Sequence, residues 1–330
     1  MRPTYRNFLS RTLVVSGFLM VVLSATLPIQ AQVLTASISA SYYGYLDQYS
    51  MNTENSFVGD EACVPTSTTN GLTLLQNLNP SLFGTGLSGS TYEDWHATDN
   101  TLINDLGTTA SSGTTYTHIP YGITDYLNSL PGNVTSQITM SGQFSTGGWD
   151  TRYPQPTYIT AVDPTAQFIY TAIQGQDAVL LSIDYSTRNG TYTSGGHELL
   201  ASGITWDTST NTGTIYFVDP LDSSATFSSG ASDGTAYDQA NAPAMITTGT
   251  ITLLGSGSGS PGSLLLEYDQ YETTGITVPN TTPSQYQHVY ATIDNVFALG
   301  AVPEPSEYLL LFIGLAGLIL YRRFGGKLQR

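Results

Sequence analysis

The chain predicts an α+β protein, with helices in its first half and antiparallel strands in its second. Three observations predict it. Leucines recur at helical spacing at 72, 75 and 78. From about residue 157 onward, apolar and alternating runs are broken by turn residues. The chain is also rich in Ser, Thr, Gly, Asn and Tyr, as exposed, turn-rich β structure tends to be.

Ser41–Gln48 is aromatic-rich and alternating, and reads as an extended segment leading into the candidate site. A helix is expected over Pro65–Leu78, with a proline tolerated in its first turn and Asn79-Pro80 ending it. Weaker helices are expected over Asp99–Leu106 and Gly122–Leu130, separated by a Ser/Thr/Gly loop at 107–118. Strands are expected over Gln167–Ile173, Ala178–Asp184, His197–Trp206 and Thr214–Asp219. Thr248–Leu254 and Ser263–Tyr271 flank Gly255–Gly262, and a hairpin is the simplest reading, with an interdomain linker as the alternative. His288–Asp294 is expected to close the sheet. Helices first and strands second make an α+β order.

The two ends read as addresses. Residues 1–31 have an Arg-containing start, an apolar run Leu13–Ile29 and a small residue, Ala31, before the expected cut: the parts of a secretory signal peptide. At the other end, Val302-Pro303-Glu304-Pro305 precedes an apolar stretch, Tyr308–Tyr321, and then Arg322-Arg323. Those 14 apolar residues cover about 21 Å as a helix, short of a ~30 Å hydrocarbon core. The order Pro-Glu-Pro, apolar helix, arginine cluster resembles the PEP-CTERM sorting signal of Gram-negative bacteria. The resemblance implies export across the inner membrane by the secretion machinery. It further implies transient membrane retention through a short transmembrane helix, recognition by an exosortase-type enzyme, and a final place at the cell surface or in the extracellular matrix. An ordinary single-pass anchor is the alternative.

Residues 32–301 lie between these segments. They carry 23 acidic side chains against Arg152 and Arg188, a formal charge of 2 − 23 = −21. Such a surface repels nucleic acid. A phosphate-cradling glycine loop followed by lysine is absent, and so are a calcium loop and a histidine pair at metal-ligand spacing. No cofactor or metal is therefore expected.

Cys63 is the one cysteine, so it has no disulfide partner within the chain. A buried, inert thiol is the plainer reading of a lone exported cysteine, but the neighbours favour a reactive one. Cys63 stands just before the expected helix, whose N-terminal partial charge favours a thiolate. Asp60 and Glu61 place opposing negative charge beside it. Gly195-Gly196-His197-Glu198 opens a strand, and Asp219-Pro220 ends the next one, 22 residues later. A hairpin turning near 207–213 brings positions 197 and 219 to the same end. A Cys, a His and an Asp in that relation supply a nucleophile, a base and a group that orients the base. Gln48 is the leading side chain for the oxyanion, with the Cys63 amide as its partner and Asn52 and Asn55 as competitors. His96, His118 and His288 have no partner motif.

These residues resemble the papain-like cysteine peptidases, nearest to the bacteriocin-leader-processing type. Gln48 falls on the family's oxyanion glutamine, and Cys63-Val64-Pro65-Thr66-Ser67 on its nucleophile run. Gly196-His197 falls on the base, and Asp219-Pro220 on the orienter. The Cys to His separation, 197 − 63 = 134, lies within the roughly 130–150 usual for such enzymes. Val64 departs from the family's glycine, and the 15-residue gap from Gln48 to Cys63 is long. The resemblance spans about 44–222 and leaves 223–301 as a β-rich extension. It implies a papain-like α+β fold, with a helical N-terminal part whose nucleophile helix packs on an antiparallel β-sheet. It also implies hydrolysis of a peptide or protein substrate. An amidase or transglutaminase on the same scaffold is an alternative, as is an inactive surface or matrix protein.

Overall fold

The computed structural model describes residues 32–48, 61–132, 134–145, 148–221, 246–271 and 286–302. The signal segment, Asn52, Asn55, Asp60 and the C-terminal sorting segment from Pro303 lie outside the described residues.

Among the described residues, nine strands form one sheet: β1 Val33–Ser37, β2 Ile138–Phe144, β3 Ile159–Thr160, β4 Ala178–Ser186, β5 Tyr192–Asp207, β6 Thr212–Val218, β7 Ile246–Leu253, β8 Leu264–Tyr271 and β9 Tyr286–Ala301. Strands β5 to β9 pair antiparallel in sequence order. Strand β4 then pairs antiparallel with both β5 and β9, which closes six strands into a barrel. The remaining strands are additions: β1 lies on the far half of β5, β2 on the far half of β9, and β3 runs parallel to β2.

This corrects the papain-like expectation of a nucleophile helix packed on an antiparallel sheet. The scaffold is a closed antiparallel barrel with extra strands, mostly sheet with few helices. Closure depends on the two 16-residue strands. Strand β5 pairs β4 through 196–201 and β6 through 200–207, and β9 is divided in the same way between β8 and β4. A strand that changes partners along its length can bend around a barrel, and closure removes the exposed edges of an open sheet.

The barrel is filled, not hollow. Phe217 of β6 and Tyr268 of β8 meet edge-on at 5.2 Å across the intervening β7. Gly249 of β7 makes this contact possible, because a Cβ there would stand 2.5 Å from Leu266 Cδ1 and 3.3 Å from Phe217 Cε1. Ile183, Ile215, Ile251 and Ile293 are buried with them.

Among the described residues, five α-helices lie outside the barrel: α1 Cys63–Leu78, α2 Pro80–Phe83, α3 Tyr92–Asp105, α4 Ile119–Ser129 and α5 Ala166–Gln174. Helix α1 lies against β4 and β5, with α3 and α4 stacked outward from it. Gly71 lets α1 approach the wall closely, since a Cβ there would be 3.2 Å from that of Ala178. The helix is buried on nearly every side, so its polar residues need partners within the protein. Asn70 grips both backbone groups of Leu46, at 2.7 and 3.1 Å, and Gln76 holds Leu87, Ser88 and Gly89.

The segment expected as a strand over Gln167–Ile173 is instead α5. Its buried residues 166, 169, 172 and 173 follow helical spacing, and the Thr165 hydroxyl caps it by accepting from the Phe168 N–H. Helix α3 starts seven residues before its expected start, at a capping box formed by Thr91 and Asp94. The Gly255–Gly262 segment does join a hairpin, β7 to β8. Strands β1 and β2 were absent from the expectation, because each is short and pairs with a segment far along the chain.

Candidate active site

Cys63 is the first residue of α1 and remains partly exposed. Its N-cap, Ala62, has no side-chain acceptor, so no cap consumes the amides of the first turn. Val64, where the resemblance has glycine, turns into the hydrophobic core. Glu61 faces the 107–118 loop: a Cβ on Gly113 would come 3.0 Å from its Oε2.

His197 lies on β5 where that strand has passed the end of β6; their pairing begins only at Leu200. Asp219 follows the last residue of β6, opposite that point. The hairpin therefore sets the two side chains together, with His197 Nε2 2.7 Å from Asp219 Oδ1 and both side chains almost wholly buried. Asp219 Oδ1 also accepts the Leu221 N–H at 2.9 Å, which fixes the carboxylate on the turn formed by Pro220. A carboxylate only accepts, so Nε2 carries the proton and Nδ1 is left for the Cys63 side chain, the ring's other hydrogen-bond partner. Burial works against a charged His197, but Asp219, with the Tyr185 hydroxyl and Cys63 acting in the same direction, outweighs it. The imidazole is held well above its ordinary value.

Gln48 is buried, and its backbone N–H donates to the Pro220 carbonyl at 3.0 Å. Its approach is set by α1: Asn77 Nδ2 donates to the Tyr42 carbonyl, and Asn70 holds Leu46. Residues 42–48 thus run antiparallel to the helix, toward its N-terminus. The structure brings Cys63, His197 and Asp219 together and leads Gln48 to the turn behind Asp219. His118 packs against Tyr153, and His288 bonds Asp269 and Glu267.

Several contacts that support the site were not foreseen from the sequence, although Thr66 and Ser67 lie in the nucleophile run. Ser67 Oγ donates to the Glu198 carbonyl at 3.0 Å, tying the first turns of α1 to the residue beside His197. Thr66 Oγ1 donates to Asp99 of α3 at 2.9 Å, and burial pushes that carboxyl up to about 8. Inside the barrel, Tyr185 and Gln270 bond to each other, the Gln270 amide donating to the Tyr185 hydroxyl at 2.9 Å. The Tyr185 and Tyr268 hydroxyls both lie within electrostatic reach of Cys63 and Asp219. Ser67 lies inside the nucleophile run and could have been found there. The tyrosines carry no signal until the barrel closes.

Among the described residues, no group of three or more His, Cys, Asp or Glu is placed to hold a metal ion. Among the same residues, no helix is long and apolar enough to cross a membrane. The chain matches no protein-family model, and no curated protein matches it.

Proposed function

We propose that this protein is an exported cysteine hydrolase that cleaves peptide bonds, with Cys63 as nucleophile, His197 as base and Asp219 as the orienter of the imidazole. One observation carries the proposal. A buried histidine is clamped at 2.7 Å by a carboxylate through one ring nitrogen and meets a helix-terminal thiol through the other. Its two partners, a carboxylate and a thiol, are of the kinds that acyl transfer requires.

In the proposed reaction the thiol proton passes to His197 Nδ1. The sulfur then attacks the substrate carbonyl carbon, forming a tetrahedral oxyanion. The Cys63 N–H and the side-chain amide of Gln48 stabilise that oxygen. The imidazolium, steadied by Asp219, returns its proton to the leaving amine as the C–N bond breaks. Water, deprotonated by His197, then hydrolyses the thioester and frees Cys63. The three side chains support this chemistry independently of the scaffold, which is not the one the resemblance implied.

Export, transient membrane retention and exosortase-type processing belong to the same proposal and rest on the two terminal segments. The test uses a thiol-directed epoxide probe and a quenched peptide library. The wild type is expected to be labelled and to cleave peptides, whereas Cys63→Ala exports and folds normally without turnover. Residual turnover in Cys63→Ala would remove Cys63 from the mechanism.

A further inference from the structure

The seam that closes the barrel carries a feature the proposed reaction does not use. Strands β4 and β9 pair Ser182 with Asn295 and then Ile183 with Ile293, so Asp294 is an extra residue in β9. Such a bulge re-aims a side chain. Here it brings the Asp294 carboxyl to that of Asp184, the next residue of β4, and the two carboxyls hydrogen-bond to each other. The Tyr116 hydroxyl also donates to Asp184. It reaches β4 past Gly196, which pairs with Asp184 on β5, and a Cβ there would lie 2.4 Å from the tyrosine oxygen. Ser145, just beyond β2, donates its N–H and its hydroxyl to the Asp294 carbonyl at 3.0 and 2.8 Å. Four segments distant in sequence therefore meet at one pair of acids.

A carboxylate only accepts, so two carboxyls joined by a hydrogen bond hold a proton between them. The bonds from Tyr116 and Asp294 favour an ionised Asp184, which assigns the proton to Asp294. Burial, with the charge of Asp184 adding to it, pushes Asp294 up to about 6. The other ionisable groups at the pair are Tyr116, Glu198 of β5 and Asp163 ahead of α5. Burial and the nearby acids keep the Tyr116 hydroxyl protonated. His197, one residue from Gly196, turns to the opposite face of β5. None of the groups on this face can replace the proton with a positive charge.

The pair is placed to reach the site. Ile183 pairs with His197 on one side and with Ile293 on the other. Tyr116 belongs to the 107–118 connection, whose Gly113 faces Glu61, two residues before Cys63.

We infer that Asp184 and Asp294 form a proton-held clasp that makes the barrel seam, and with it the setting of His197, sensitive to pH. With the shared proton in place, the bulge of β9 is bound to β4. Without it, two carboxylates repel across the seam, which loosens beside Ile183. The clasp stands on the fold; its effect on turnover rests on the hydrolase reading above and adds a regulation to that site. A carboxyl raised in the fold favours the closed seam fully below its ordinary 3.8, and that advantage is lost as pH rises through about 6.

Amide hydrogen exchange of the full chain at pH 4 and pH 7, corrected for the intrinsic pH dependence of exchange, tests the clasp. Protection of the β4–β9 amides around Ile183 should fall by about tenfold or more between the two, the effect of a one-unit difference in proton affinity, and that of β6–β7 should fall less. Asp294→Asn keeps a donor for Asp184 at every pH, so its seam should stay protected at pH 7. Asp184→Asn, which can donate to an ionised Asp294, should show the same constancy. Seam protection that is constant in the wild type, or that falls equally in both variants, would overturn the clasp. Turnover of quenched peptides should be higher in Asp294→Asn than in the wild type at pH 7 and equal at pH 4. Turnover with constant seam protection sinks the clasp alone. A pH-dependent seam without turnover sinks the hydrolase and keeps the clasp. Equal turnover of the two proteins at both pH values, with the seam responding, overturns the regulation of the site.

Discussion

Two histidines in this protein each meet carboxylates, and they are opposites. His197 sits 2.7 Å from Asp219 with side-chain exposures of 3% and 2%. His288 of β9 sits 2.8 Å from Asp269 and 3.0 Å from Glu267 of β8, with half its side chain in water. The bonding distances barely differ, so distance alone does not mark a reactive site. The differences are burial and the kind of second partner: a thiol for His197, a second carboxylate for His288. His288 is a cross-strand surface contact whose strength water and salt reduce, while His197 is held in a desolvated place with the Cys63 side chain as its other partner.

Removing either side of the buried pair should therefore have the largest effect. His197→Ala should lower peptide turnover by at least ~10³-fold, and Asp219→Asn by roughly 10²–10⁴-fold, because the imidazole loses its tautomer. Asp269→Asn, which damages the surface pair equally, should leave turnover unchanged. Steady-state kinetics on the three variants would break the comparison if the surface variant matched the buried ones.

A second effect lies in stability. Glu198 is neutral in the fold up to about 8, against an ordinary 4.5. Between those values the unfolded chain ionises and the folded one does not, so stability falls as pH rises and levels off above 8. Denaturant melts of Glu198→Gln should match the wild type near pH 4. By pH 8 the variant should be more stable by about 1–3 kcal/mol. A constant difference across that range would mean that Glu198 does not titrate as buried.

The smallest effect concerns the histidines themselves. Both are raised above 6.5, so each favours the folded state at lower pH, and that contribution is lost as pH rises through its folded value. For His288 the hydrogen bond to Asp269 leads the shift, and with half its side chain in water it is open to screening by salt. Proton-detected titration in 0.5 M salt should move His288 back toward 6.5 and leave His197 in place. Equal salt sensitivity would deny His197 its desolvated setting.

Much of the site was legible because its chemistry lies in short local motifs. Gly195-Gly196-His197 and Val218-Asp219-Pro220 sit on two strands of one hairpin, and hairpin pairing follows from nearby sequence. Helix α1 announced itself through Leu72, Leu75 and Leu78. The barrel was not legible, because it depends on β4 meeting β9 more than 100 residues later, a long-range pairing with no local signature. Strand-like apolar content also hid α5, where the Thr165 cap was the overlooked signal. Tyr116, Tyr185 and Asp294 gain meaning only when that closure gathers them around β4.

The central claim is that Cys63 and His197 act as one unit, and alkylation of Cys63 by iodoacetamide at pH 6 tests it directly. We expect rapid labelling of the wild type and a rate at least about tenfold lower in His197→Ala, because the thiolate loses the imidazolium that sustains it. Identical rates in the two proteins would show that the sulfur and the ring do not communicate, and would contradict the account.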